Sequence, residues 1–180
     1  MDYPLIYQIT GYKNTGKTTL LCRIVALWKA KGIPAATIKH DAHEFQMDRN
    51  GSDTSQHQEA GAVWTAITSP RQTVILQSGM ADLAQLILLA PPETVILAEG
   101  FKHAPYPKLV MACSETDIRL ANQLTGVTAI VAEASFYRQQ IAVPTTTPIF
   151  CRDQVEEISD HMLAELRFLG AGAWLETTLI

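Results

Sequence analysis

The residues best suited by type and spacing to do chemistry are Gly11-Tyr12-Lys13-Asn14-Thr15-Gly16-Lys17-Thr18, a full match to G-x-x-x-x-G-K-[ST], with Thr19 directly after it. Such a pattern binds phosphate for physical reasons. Glycines at 11 and 16 let the backbone curl so that consecutive N–H groups face one anion, while the helix that follows adds its positive end. Lys17 supplies a point charge. The Thr18 hydroxyl is a ligand for a magnesium ion bridging the β- and γ-phosphates of a nucleotide. A Gly-rich turn that binds nothing is the plainer alternative, and the context weighs against it. Leu5-Ile6-Tyr7-Gln8-Ile9 reads as a strand before the loop and Leu20-Leu21-Cys22-Arg23-Ile24-Val25 as a helix after it, as a P-loop requires.

A magnesium–phosphate site also needs an acid at the end of a strand near the loop. Two positions fit, Asp41 and Glu99, and both are expected to hold metal or position water. Glu99 ends a long apolar strand, where a Walker B acid stands, although aspartate is commoner there. His40-Asp41-Ala42-His43 with Asp48, Asp53 and His57 reads either as a transition-metal site or as a polar loop facing phosphates. Its spacing matches no standard zinc signature, so the phosphate-facing loop is favoured. Gly100-Phe101-Lys102-His103 begins an exposed aromatic and basic loop after Glu99. Base preference is not written in the chain: Ile38-Lys39-His40-Asp41 only approaches [NT]-K-x-D and is read as coincidence. The seven arginines, at 23, 49, 71, 119, 138, 152 and 167, never cluster, which counts against a kinase with an arginine-bearing lid.

These residues must be positioned by elements the pattern also predicts. A helix over residues 17–31 carries Leu20, Leu21, Ile24, Leu27 and Trp28 on one face and stops at Gly32 and Pro34. Ala35 to Lys39 is a second strand, completing a right-handed β-loop-α-β unit, and the crossover rule makes it pair parallel with the first. Residues 40–54 form a long polar loop of the functional kind, with Ser52 or Asp53 capping a short helix over 54–60. Strands follow at 62–67 and 73–76 around the turn Ser69-Pro70-Arg71-Gln72, then a helix at 80–89. Thr94 to Ala98 is a continuous apolar run typical of a central parallel strand. Further strands are expected at 109–112, 129–132 and 148–150, and Val155, Ile158, Met162, Leu163, Leu166 and Leu169 face the core from a closing helix. The fold class is α/β: one P-loop NTPase domain with a mostly parallel central sheet flanked by helices.

Composition narrows the function further. The chain of 180 residues carries a net charge of -4 and no basic tract, which argues against a sequence-independent grip on nucleic acid. No apolar stretch is long enough to span a bilayer and no signal peptide is evident, so a cytoplasmic protein without membrane association is expected. Three cysteines, at 22, 113 and 151, show no metal spacing and are expected as small, reduced, buried hydrophobes. The apolar tail with Ala173-Trp174-Leu175 and Leu179-Ile180 suggests a homodimer.

The P-loop, the segment Ile38-Lys39-His40-Asp41-Ala42-His43 with Asp48, Gly51, Asp53, His57 and Ala60-Gly61-Ala62, then Glu99-Gly100-Phe101-Lys102 and Pro107-Lys108, resemble the MobB proteins of molybdopterin-guanine dinucleotide biosynthesis. The likeness extends over nearly the whole chain, with its specificity in the first 110 residues. It implies a GTP-binding, dimeric adapter with weak GTPase activity, assisting the nucleotidyltransferase MobA that attaches GMP to the pterin. Gly11 to Thr19 would then hold phosphates and Asp41 and Glu99 would serve Mg²⁺ and water. His40, Asp53, His57, Gly100, Phe101 and Lys102 would line a site for GTP, with a molybdopterin-type cofactor as a further ligand. Ser52 departs from the lysine expected in many relatives. The competing classes are a P-loop small-molecule kinase and a metal-insertion GTPase chaperone, the latter suggested by the histidines.

Overall fold

The computed structural model describes residues 5–41, 51–139 and 145–168. They divide into two compact units, one holding the segments up to His40 and from Leu83 onward, the other Asp41–Asp82. Among the described residues of the larger unit, six strands form one parallel sheet: β1 (Leu5–Thr10), β2 (Ala35–Lys39), β5 (Val95–Glu99), β6 (Lys108–Ala112), β7 (Val127–Ala132) and β8 (Ile149–Cys151). Their order is β2-β5-β1-β6-β7-β8. The second strand is thus parallel to the first, but the expected pairing between them is overturned. β5 lies between them, with Glu99 in register with Ile9 on one side and Lys39 on the other.

The period of two along each strand divides the core. Leu5, Tyr7 and Ile9 of β1 join Leu109 and Met111 in packing on α1 (Lys17–Ala30) and α6 (Val155–Phe168). The stripe Leu20, Leu21, Ile24 and Trp28 faces inward as its spacing predicts, and the fully buried Trp28 indole donates to Ser159 Oγ at 2.8 Å, so its polar edge is satisfied. On the other side, Ile6, Ile96 and Ala98 meet Leu83 and Ile87 of α3 (Leu83–Ile87), a shorter helix than residues 80–89 suggest. Val110, Ala112, Ile130 and Ala132 pack on α4 (Glu115–Gln123) and on Phe136 of α5 (Ala134–Tyr137). Neither of those two helices follows from the apolar pattern alone.

The smaller unit holds α2 (Asp53–Glu59) and an antiparallel hairpin of β3 (Trp64–Thr68) and β4 (Thr73–Gln77), so these strands form a separate sheet. Ser52 caps α2 through Oγ, which accepts from the Ser55 amide at 3.1 Å. Ser69 organises the hairpin turn: its Oγ accepts from the amides of Arg71 and Gln72.

Expectations for Ala42 to Asn50, which include His43 and Asp48, and for Leu169 and the tail beyond it lie outside the described residues. The expected burial of the cysteines is overturned as well. The cysteines are free, but Cys22 and Cys113 are exposed and Cys151 is half-buried. Cys22 sits on the solvent side of α1 beside Arg23, opposite the apolar stripe, and Cys113 follows β6 where the chain leaves the sheet. No helix among the described residues is long and apolar enough to cross a membrane.

Candidate functional site

The loop after β1 owes its shape to residues that accept unusual backbone angles. Gly11 has φ 145°, and a Cβ there would meet the Met111 carbonyl oxygen at 3.0 Å and Thr15 Oγ1 at 3.1 Å, so conformation and space both demand glycine. Asn14 takes φ 63°, and Gly16 stands at the α1 N-cap with φ 87°. Having no side chain, Gly16 gives α1 no side-chain cap, and no acid occupies the helix's first turn. The helix start therefore offers backbone donors and a positive dipole end to an anion. Within the loop, Thr15 Oγ1 and Lys17 Nζ both donate to the Tyr12 carbonyl, at 2.9 and 2.6 Å.

Thr18 joins the loop to the end of β5. Its hydroxyl donates to Glu99 Oε1 at 2.8 Å and Oε2 at 2.9 Å. Glu99 is buried at the strand terminus, and Lys39 Nζ lies 3.9 Å from Oε1. Burial lowers the Lys17 pKa; the Glu99 carboxylate opposes that shift, and Lys102 and Lys39 reinforce it. Three ammonium groups therefore share the neighbourhood of one buried carboxylate. The set of hydroxyl and carboxylate oxygens beside a phosphate-type loop suits a small hard cation such as Mg²⁺.

The segment after Glu99 bends back over the site. The Gly100 amide donates to the Ile9 carbonyl and the His40 amide to the Glu99 carbonyl, both at 3.0 Å. Gly100 has φ 94°, and a Cβ there would press on His40 Cβ at 3.2 Å. Phe101 follows with φ 50° and sets its ring 5.0 Å from the His40 ring. Lys102 Nζ lies 4.3 Å from the centroid of the Tyr12 ring, a cation–π contact that ties this loop to the P-loop.

The structure thus gathers Gly11 to Thr18, His40, Glu99, Gly100, Phe101 and Lys102 at the carboxyl edge of β1, β2 and β5. Thr19 is exposed on the first turn of α1. Asp41 is the first residue of the smaller unit, and Asp53 and His57 are exposed on α2 there. Among the described residues, no group of three or more His, Cys, Asp and Glu side chains is arranged to hold a metal ion. Nothing local in the sequence marks Lys39 for the site, because its pairing with Glu99 depends on β5 lying beside β2. Cys113 also reaches the loop, with Sγ 4.0 Å from the Thr15 carbonyl; partial loss of hydration at this otherwise exposed thiol raises its pKa, as do the carboxylates of Asp117 and Glu133.

Comparison with known proteins agrees with this architecture. Residues 6–133 match the family model described as Molybdopterin guanine dinucleotide synthesis protein B, MobB. The chain is 31% identical over 169 residues to the "Probable molybdopterin-guanine dinucleotide biosynthesis adapter protein" of Bacillus subtilis (strain 168), spanning 92% of this chain and 94% of that one. Among solved structures, Bacillus subtilis MobB superposes with a TM-score of 0.71 at 30% identity, over 88% of this chain and 98% of that one. A MobB homologue from Bacillus stearothermophilus does so at 0.69 and 26%, over 91% and 98%. With the family model spanning the P-loop, Glu99 and Lys102, and a curated relative aligned along nearly the full length, the chain belongs to the MobB family.

Proposed function

We propose that this chain is a GTP-binding adapter in the assembly of molybdopterin-guanine dinucleotide, a slow GTPase that assists a MobA-type nucleotidyltransferase. The observation that carries the nucleotide part is the Thr18–Glu99 contact beneath the P-loop, because it joins the hydroxyl and carboxylate such chemistry requires. The pathway part rests on the family and on the adapter names its relatives bear.

In this reading the amides of the loop and the start of α1 bind the phosphates, and Lys17 leaves the Tyr12 carbonyl to neutralise them. Mg²⁺, when bound, would spread the charge of the β- and γ-phosphates. Thr18 and Glu99 would hold it, and Glu99 would orient the attacking water. Lys39 and Lys102 add positive charge in cis. Neither has the planar fork of an arginine finger, so turnover stays slow.

The roles expected for Asp41, Asp53 and His57, the molybdopterin-type ligand, the cytoplasmic location and the homodimer belong to the same proposal. Exposed Trp64 and Ile67 on β3 and Ile75 on β4 support self-association, since a hairpin bearing such side chains favours a partner. A small-molecule kinase is the weaker reading: Arg23 pairs with Asp153, Arg119 with Glu115 and Arg152 with Glu133. The test is a calorimetric titration of GTP and of ATP with and without Mg²⁺. Mg²⁺-dependent GTP binding is expected, and absence of binding by either nucleotide would overturn the proposal.

A further inference from the structure

Gln8 stands where a strand buried on both faces calls for an apolar side chain. β1 is buried throughout, and Gln8 is fully buried at its centre, between Ile6 and Thr10 on the same face. Its amide is not idle. Nε2 donates to the Phe101 carbonyl at 2.8 Å and reaches the Gly100 carbonyl at 3.3 Å, reading two consecutive carbonyls of the turn that leaves β5. Its Oε1 is buried and finds no hydrogen-bond partner among the described residues. Burying an acceptor in that state is unfavourable, so the position keeps an amide despite a cost that an apolar side chain would avoid.

The turn it holds has reason to need holding. Gly100 and Phe101 both have positive φ, at 94° and 50°, and a left-handed phenylalanine is strained unless its surroundings enforce it. Phe101 packs with Ile6 and Ile96 on the face from which Gln8 projects. The next residue is Lys102, whose ammonium lies over the Tyr12 ring of the P-loop and adds to the field acting on Lys17. Released from the amide, the turn could relax toward ordinary backbone angles, and Lys102 would swing away from the loop.

We propose that Gln8 is a positioning residue for nucleotide binding: by donating to the Gly100 and Phe101 carbonyls it fixes the turn that aims Lys102 at the phosphates. This rests on the P-loop reading of the preceding section. It predicts that Gln8 acts through Lys102 and not only through the stability of the fold.

The test is a double-mutant cycle on GTP–Mg²⁺ affinity in the full chain, with Gln8→Met, Lys102→Met and the pair, alongside Lys17→Ala and thermal melts of every variant. Gln8→Met removes the donor at similar length. Each single variant is expected to weaken binding about five- to tenfold, and the pair no more than Lys102→Met alone. A merely structural role for Gln8 would lower the melting temperature while its effect on affinity simply multiplied with that of Lys102→Met. Multiplicative losses, or unchanged affinity in Gln8→Met, would overturn the inference. Unchanged affinity in Lys17→Ala would instead overturn the nucleotide reading beneath it. Should Gln8→Met not fold, Gly100→Ala strains the same turn from the His40 side and must show the same coupling to Lys102; independence there overturns the inference equally.

Discussion

The Thr18 hydroxyl shares its hydrogen with both oxygens of the Glu99 carboxylate, at 2.8 and 2.9 Å, linking the first turn of α1 to the carboxyl end of β5. Two segments far apart in sequence thereby present oxygen donors beside one phosphate-type loop. Because Glu99 is buried, bulk water screens its interactions with its neighbours less than it would at the surface.

Glu99→Gln should therefore separate binding from turnover. The amide keeps the shape and accepts from Thr18 through one atom, but it loses the charge that holds a divalent cation and orients water. GTP binding should persist with a weakened Mg²⁺ dependence, while single-turnover hydrolysis falls to background. Full hydrolysis in this variant would show that Glu99 is not the acid of the site.

Lys17→Ala should act on binding itself. The side chain is half-buried and burial has already lowered its pKa, so its ammonium meets a phosphate with part of its hydration shed. Loss of one charge-assisted contact in such a setting is worth about 2–3 kcal/mol. Calorimetry should report that loss for GTP with Mg²⁺ present, and equal affinities in wild type and variant would remove the P-loop assignment.

What was legible in sequence was whatever is local. The P-loop is one contiguous motif between an apolar strand and an amphipathic helix, and the apolar run of Thr94 to Ala98 marks a strand covered on both faces, found at Val95–Glu99. Strand order was not legible, because no residue near Lys39 encodes that β5 will lie beside it, and the Lys39–Glu99 pair was lost with it. The helix at Glu115–Gln123 has a readable start in Ser114, Glu115 and Asp117, a cap-type residue followed by first-turn acids, but only three apolar residues, Ile118, Leu120 and Ala121, mark its buried face. The exposure of Cys22 and Cys113 is not legible because the average burial of a residue type says nothing about which face of α1 or which end of β6 a given cysteine occupies.

Self-association can be addressed at the hairpin. Trp64 is 54% exposed and Ile75 is 55% exposed, and two such side chains facing water favour a second copy as cover. Sedimentation at micromolar concentration should give a dimer, weakened by Trp64→Ser with Ile75→Ser. A monomeric wild type at that concentration would contradict the dimer, and an undisturbed dimer in the double variant would move its interface elsewhere.

Two glycines provide a paired test of the backbone. Gly126 has φ 70°, and a Cβ there would stand 2.8 Å from the Tyr106 carbonyl oxygen, whereas Gly32 has φ 74° with nothing within 4 Å. Alanine at Gly32 should cost about 1 kcal/mol of left-handed strain. At Gly126 the collision is added, for a total of about 2–3 kcal/mol. Urea unfolding of both variants checks the difference; equal losses would mean that the chain between Tyr106 and Gly126 yields freely.

Lys108 lies beside that glycine and makes the last prediction. It is fully buried, and its ammonium donates to the carbonyls of Ala104 and Thr125, at 2.7 and 2.6 Å, joining the chain before β6 to the chain before β7. Burial lowers its pKa below the ordinary lysine value. Below the lowered folded value the group is protonated in both folded and unfolded chains, so the penalty of burying its charge is fully present there. As pH rises between the lowered folded value and the ordinary unfolded value, the unfolded chain holds more protons, and linkage makes folding stability rise with pH. Burial shifts Tyr7 upward, which costs stability once pH exceeds the ordinary tyrosine value, but that contribution is common to wild type and a Lys108→Met variant and cancels between them. Urea unfolding of the two proteins at neutral and at alkaline pH should therefore show wild type gaining on Lys108→Met as pH rises. A difference that is flat, or that shrinks toward high pH, would mean that the two carbonyls hold the ammonium charged more firmly than burial expels its charge.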